Sequence, residues 1–376
     1  MRDPLVLRDT FARRAALRMG ILTLILTGAL CLVALNKYGA LDFARMGERF
    51  CCGVPDGSKG YDGQFALYIA AFGANATPLI DGATLRYQRI LYPVIARALA
   101  FGSPTLAPYT LILVNVTAHA VGAALLTYLL LWISMRHGQR IRKTLPITVL
   151  AFTVWFGALM AVRLDLNEPL CIAFALTAVI AYTHQKDRLT AGLLIASTLT
   201  KEIGLVFAAA LALHAFMNGE RRRAVYLMFA PAFAFLAWWG VLYVTFGALP
   251  TQYPAARNLM PIPLNGLFAE TDVPELVMLV IWLAIPTVIL FAAAAWKAVR
   301  ERQVSLGSAL MLAAGAWVML MPDVSWVDPV AAYRVAVPLV VCGLLFLAES
   351  YPRRVWWLFG LWLGSIVLML IVPGMW

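Results

Sequence analysis

Ile195-Ala196-Ser197-Thr198-Leu199-Thr200-Lys201-Glu202-Ile203-Gly204-Leu205-Val206-Phe207 lies inside an apolar stretch, 189–217, whose reading decides the fold. One continuous helix over those residues would be about 43 Å long at 1.5 Å per residue. A hydrocarbon core is about 30 Å thick, so that helix fits only with strong tilt. It would also reverse the side of every later loop. Two short helices joined at Thr200-Lys201-Glu202 avoid both problems, and they set a charged pair at one face of the membrane.

The composition makes a membrane the expected solvent. The chain has 376 residues, is 62% hydrophobic and 13% charged, and has a mean hydropathy of +0.81. A water-soluble domain is nearer half apolar and a quarter charged. Apolar runs fall near 18–36, 108–134, 144–161, 167–183, 189–200, 203–217, 224–246, 274–296, 304–321, 334–348 and 355–373. The expected fold is therefore an all-α integral membrane protein with about eleven transmembrane helices. The run Met19 to Leu35 reads as an uncleaved first span, since no small-residue cleavage site follows it.

Charge assigns the sides. Nineteen of the 30 Lys and Arg residues lie in Arg2–Arg18, Arg136–Lys143, Lys186–Arg188, Arg221–Arg223, Lys297–Arg302 and Arg353–Arg354. The positive-inside rule makes that side cytoplasmic. Thirteen of the 19 acids lie on the other side. The net charge of +11 does not indicate nucleic acid, because the basic residues are spread in short clusters between apolar runs.

The long outer loop, about 37–107, holds the densest polar pattern: Tyr61-Asp62-Gly63-Gln64-Phe65-Ala66-Leu67, then Leu85-Arg86-Tyr87-Gln88-Arg89-Ile90-Leu91-Tyr92-Pro93. Two short helices are expected here, Tyr61–Phe72 and Arg89–Phe101, lying along the interface. Asp62 opens the first of them. A helix N-terminus favours an ionised carboxylate, which suits a base and equally suits a simple cap. Arg86 and Arg89, three apart, can grip a phosphate with forked hydrogen bonds or reach out to lipid headgroups. Asp81, Gln64 and Tyr87 complete the substrate-binding candidates in this loop.

The second outer loop, Arg163-Leu164-Asp165-Leu166-Asn167-Glu168-Pro169, is short and crowded with charge. Arg163 and Glu168 are candidates there, with helix capping as the plain alternative for Glu168. Lys201 and Glu202 either reach the same outer cavity or only pair with charges nearby. Arg334 is a candidate second phosphate contact or a headgroup anchor. Asp323 and Asp328 read as a solvated edge. His119, in an apolar run with Asn115, reads as an interhelical hydrogen-bonding residue. Cys51-Cys52 allows a vicinal disulfide or a reactive thiol, and Cys31, Cys171 and Cys342 read as small core residues. No zinc spacing, Walker loop or serine-nucleophile motif in a suitable place is present.

These residues resemble a known family. Tyr61-Asp62-Gly63-Gln64-Phe65 and Arg86-Tyr87-Gln88-Arg89-Ile90-Leu91-Tyr92-Pro93 are similar to motifs of the GT-C glycosyltransferases, in a bacterial branch associated with cell-surface glycopolymers. Asn167-Glu168-Pro169-Leu170 and Leu199-Thr200-Lys201 are similar to weaker motifs of the same group. The likeness spans roughly residues 1–220. It implies a single multi-pass unit, with a catalytic module over 1–220 and a lipid-donor groove among the helices of 221–376. It implies Asp62 as the catalytic acid, acting from a first periplasmic loop with two interfacial helices, in a bacterial cytoplasmic membrane. It implies a polyprenyl-phosphate-linked sugar as donor and a glycan, lipid or protein hydroxyl as acceptor, transferred with inversion. No nucleotide or resident metal is expected. Asp62 has no neighbouring acid, which leaves room only for a loosely held divalent cation. Ala66 and Leu67 stand where aromatics are usual, so part of the donor-sugar wall differs. Two other classes compete: a flippase or transporter of lipid-linked sugars, expected to carry an internal repeat and midplane charge, and a non-catalytic subunit of an envelope assembly machine.

Overall fold

The computed structural model describes residues 4–136, 144–252, 259–270 and 272–371. The expected basic run Arg136–Lys143 lies, beyond Arg136, outside the described residues, as does Arg2. Among the described residues the chain is all-helical, without a strand.

The chain opens with α1 (Pro4–Tyr38). The segment 39–106 follows, with α2 (Leu41–Ala44), α3 (Glu48–Cys51), α4 (Gly63–Phe72), α5 (Ala83–Tyr87) and α6 (Leu91–Leu99). Then come α7 (Ala107–Arg136), α8 (Leu150–Thr153), α9 (Phe156–Arg163), α10 (Glu168–Thr183), α11 (Asp187–Thr200), α12 (Gly204–Met217) and α13 (Arg221–Phe246). After α14 (Val273–Leu279), a π turn leads into α15 (Ile285–Glu301). The chain continues through α16 (Leu306–Met319), α17 (Asp323–Trp326), α18 (Pro329–Val335), α19 (Val337–Ser350), α20 (Val355–Leu363) and α21 (Leu368–Ile371).

Among the described residues, four stretches are long and apolar enough to cross a membrane: Asp9–Tyr38, Ala107–Arg136, Arg221–Phe246 and Val273–Glu301. The count rises to six if two bent pairs, 145–153 with 156–163 and 329–335 with 337–350, are each one span. The expected apolar runs are largely helical where they are described, but the count of eleven spans is not shown. α10, α11, α12 and α16 have 14 to 16 residues, and 14 residues reach only about 21 Å. Length and composition mark a multi-pass helical membrane protein.

α7 is mostly buried and packs against α1 and α10. α1 and α13 instead turn large apolar side chains outward, such as Leu17, Ile25, Phe229, Phe233 and Val244. Apolar surface of that extent is ordinary only where lipid covers it. The break expected within 189–217 is present: α11 stops at Thr200, Lys201 is extended, and α12 starts at Gly204.

The expected interfacial character of 61–72 is corrected. Gly63 through Ala71 are all buried. α4 is apolar around its circumference, so it needs cover on every side. α6 keeps Val94 and Leu99 outward while burying Tyr92, Pro93 and Ala96. Its Arg97 donates to the carbonyls of Ala70 (3.0 Å) and Ala71 (2.7 Å), satisfying the C-terminus of α4 instead of facing a polar surface. Cys51 and Cys52 form a vicinal disulfide. His119 donates to the Thr153 carbonyl at 3.0 Å, an interhelical bond as expected.

Candidate functional site

Two glycines let distant elements meet. A Cβ on Gly63 would lie 2.1 Å from the Leu164 carbonyl oxygen, so only glycine lets the start of α4 touch the 164–167 loop. A Cβ on Gly157 would lie 2.1 Å from the main chain of Tyr333, so α9 and α18 cross backbone to backbone. The Trp155 indole donates to the Tyr333 carbonyl at 2.8 Å and fixes that crossing. The first contact brings Asp62 beside Glu168. The second delivers Arg334 to both.

Asp62 is the residue before α4, yet its side chain makes no capping bond. Its Oδ1 accepts from Arg86 Nη1 and its Oδ2 from Arg334 Nη2, both at 2.8 Å. Arg86 is braced from behind by Asp81, which accepts from Nε at 2.7 Å and Nη2 at 2.8 Å. The Arg86 guanidinium also sits over the Phe65 ring, 4.0 Å from its centre. Arg334 donates through Nη1 to Glu168 Oε1 at 3.2 Å, and the same oxygen accepts from Lys201 Nζ. Arg89 forms a fork with Glu202 at 2.6 and 3.0 Å.

Eight predicted residues are thus joined or adjacent: Asp62, Asp81, Arg86, Arg89, Glu168, Lys201, Glu202 and Arg334. Asp62 makes no side-chain capping bond, Arg86 and Arg89 bond acids of the protein, and Lys201 and Glu202 pair with charges on other elements, as the plainer alternative for those two expected.

Three predicted residues are not part of this group. Gln64 is fully buried, donates to the Lys59 carbonyl (2.7 Å) and accepts from the Gly47 amide (2.9 Å), so it braces the 47–60 loop. The Tyr87 hydroxyl donates to the Gly73 carbonyl at 2.5 Å. Arg163 is fully buried and pairs with Asp42, over the Phe43 ring. Its outer-loop position suggested a ligand contact. Its side chain points to the short helix α2, because a buried guanidinium takes the acid its own surroundings offer.

Asp328 was expected to be a solvated edge, but it accepts from the Tyr61 hydroxyl at 2.9 Å. Tyr61 also lies under the Arg334 guanidinium, 5.2 Å from the ring centre. This latch between the outer loop and the residue preceding α18 has no local signal in the sequence. Asp165 is fully buried, its two carboxyl oxygens without a hydrogen-bond partner among the described residues. Burial pushes that carboxyl well above the usual range, against the pull of Arg163.

The electrostatics follow from shared partners. Burial alone would raise the Glu202 carboxyl, but Arg89 and Lys201 outweigh it and hold it down to about 2. Lys201 is lowered to about 8, first by burial, with Glu168 opposing and the Arg334 and Arg89 charges adding to the shift. Glu168 serves two cations at once, so neither has the whole of its charge.

The network forms the floor of a cavity of about 680 Å³. Asp62, Arg86, Arg89, Lys201, Glu202 and Arg334 line one end. The remainder is mostly apolar, walled by Leu205 and Val206 of α12, Phe235 and Trp239 of α13, and Ala313 and Trp317 of α16. No group of three or more metal-ligating side chains is found among the described residues. Comparison with protein-family models, with curated proteins and with solved structures returned no match.

Proposed function

We propose that this chain is an inverting glycosyltransferase of GT-C type, which moves a sugar from a polyprenyl-phosphate donor to an acceptor hydroxyl at the outer face of a bacterial cytoplasmic membrane. One observation carries the reading: a carboxylate flanked by two guanidinium groups stands at the charged end of a cavity whose other walls are mostly apolar. An isoprenoid phosphate has that same division, an anionic head on a long apolar tail.

In the proposed step, the Asp62 carboxylate takes the proton of the acceptor hydroxyl. The acceptor oxygen forms a bond to the anomeric carbon from the side opposite the phosphate. The bond from that carbon to the phosphate oxygen breaks, and its electron pair leaves on the phosphate. Arg86, Arg89 and Arg334 stabilise the charge that grows there. Glu168, itself held by Lys201, fixes Arg334, and Asp81 fixes Arg86. The acceptor is a glycan, lipid or protein hydroxyl of the cell envelope.

The test is turnover of the full-length protein, purified in lipid, with polyprenyl-phosphate-linked sugars and an acceptor extract. Release of polyprenyl phosphate with sugar transfer, lost in a folded Asp62→Asn variant, is the expected result. Unchanged turnover in that variant removes Asp62 as base. Movement of the donor across the bilayer without its cleavage replaces the transferase with a flippase.

A further inference from the structure

We infer that Asp62 holds the place of the donor phosphate: an entering phosphate ester takes Arg86 Nη1 and Arg334 Nη2 from the Asp62 carboxylate, and the released carboxylate then serves as the base. This inference rests on the function proposed above and adds a regulation of the same site.

As the site stands, both oxygens of Asp62 are engaged by cationic donors at 2.8 Å. A carboxylate held between two guanidinium groups binds a proton weakly, because each charge-assisted bond favours the ionised form. The resting arrangement therefore masks the group that the transfer step needs. A phosphate presents oxygens that accept the same guanidinium N–H groups as a carboxylate does.

The two arginines are built to survive the exchange. Arg86 keeps its fork to Asp81 and its seat on Phe65. Arg334 keeps Glu168 through Nη1. Each surrenders one front donor only. Arg334 also carries a buried Nε that has no acceptor among the described residues, a donor in excess of the acids around it.

Charge balance drives the same sequence. Arg86, Arg89, Lys201 and Arg334 face Asp62, Asp81, Glu168 and Glu202, so this group of side chains is neutral. An entering anion makes it negative and raises the proton affinity of whichever carboxylate has lost its cations. That carboxylate is Asp62, and the proton comes from the acceptor hydroxyl. The donor therefore binds first and the acceptor second.

The test uses binding alone, without a sugar and without turnover. Farnesyl phosphate and inorganic phosphate are titrated into the full chain in nanodiscs of zwitterionic lipid. Wild type is compared with Asp62→Asn and with Asp328→Asn, which removes an outer carboxylate bonded to Tyr61 and not to these arginines. Asp62→Asn is expected to bind farnesyl phosphate about ten-fold tighter or more, as two arginines lose their competitor, and Asp328→Asn to change by less than about two-fold. A parallel gain for inorganic phosphate assigns the exchange to the phosphate head; a gain confined to farnesyl phosphate assigns it to a lipid phosphate.

Affinity in Asp62→Asn equal to or weaker than wild type overturns the inference. So does an equal gain in Asp328→Asn, which would be general electrostatics. If Asp62→Asn does not fold, infrared difference spectra of the wild type decide: farnesyl phosphate is expected to shift a carboxylate stretching band, and no shift sinks the exchange. Sugar transfer with no affinity gain in Asp62→Asn would leave the proposed function standing and remove only the exchange. An affinity gain with no transfer by wild type would do the reverse.

Discussion

Arg334 and Arg163 are both almost wholly buried, at 2% and 0% exposure, and both bond a carboxylate. They differ in what surrounds the pair. Arg163 meets Asp42 and the Phe43 ring and does not line the cavity at Asp62. Arg334 divides itself between Asp62 and Glu168 and borders the groove. Burial and pairing alone therefore do not mark a site here. A guanidinium shared between acids, beside open space, does.

The sharpest way to break this contrast is to remove one charge from each region. Asp62→Asn is expected to lower transfer by about 10² to 10⁴, the usual contribution of a positioned base, while the unfolding temperature stays near wild type. Arg163→Met is expected to do the opposite. It should cost about 2 to 3 kcal/mol in an unfolding titration, less than a fully buried orphan because Asp42 keeps some contact with water, and leave turnover per folded molecule unchanged. If Arg163→Met abolishes transfer in a folded protein, the two regions are one site and the contrast is lost.

Arg334→Lys is milder, since it keeps the charge but not the fork. Farnesyl phosphate is expected to bind about ten-fold more weakly. Equal affinity would mean that Arg334 acts only as a structural tie.

The pH dependence sharpens the role of Lys201. Its ammonium is lost as pH rises through about 8, so donor binding is expected to weaken above that pH. Lys201→Arg, which stays charged, should flatten this limb. Stability runs the other way. The folded-state value lies below the ordinary 10.5, so the folded chain binds fewer protons there and its stability rises between about pH 8 and 10.5. At the acid end, Glu202 contributes stability that is full above its ordinary 4.5 and is lost as pH falls through about 2. An alkaline limb unchanged in Lys201→Arg would assign it to another group.

The smallest effect is expected at Tyr87. Tyr87→Phe loses one hydrogen bond to the Gly73 carbonyl, about 1 kcal/mol of stability, with no change in turnover. A clear loss of transfer would return Tyr87 to the substrate-binding set.

Much of the local structure was legible. The apolar runs became helices, and the break at Lys201-Glu202 followed from the length a single helix would need. Chemistry-bearing residues were legible as types: acids and arginines in outer loops of an apolar chain are expensive unless used. Their use was less so. Gln64 and Tyr87 stand inside the most distinctive motif and yet brace the loop around it, because a motif constrains packing as readily as chemistry. Of the eleven expected spans, four to six are long enough among the described residues, for a related reason: hydropathy marks a segment as apolar without saying whether lipid or protein covers it.

By itself, then, the sequence determined that the chain is helical, that a membrane is its solvent, and that its unpaired-looking charges sit in a few loops. Those properties depend on composition and on neighbours within a turn or two. The tertiary structure alone decided that Arg334 reaches Asp62 across 272 positions, that Arg163 turns away to Asp42, and that α4 lies buried. The physical reason is steric. Two backbone crossings, at Gly63 with Leu164 and at Gly157 with Tyr333, bring these groups together, and no local spacing encodes which distant backbone a glycine will admit.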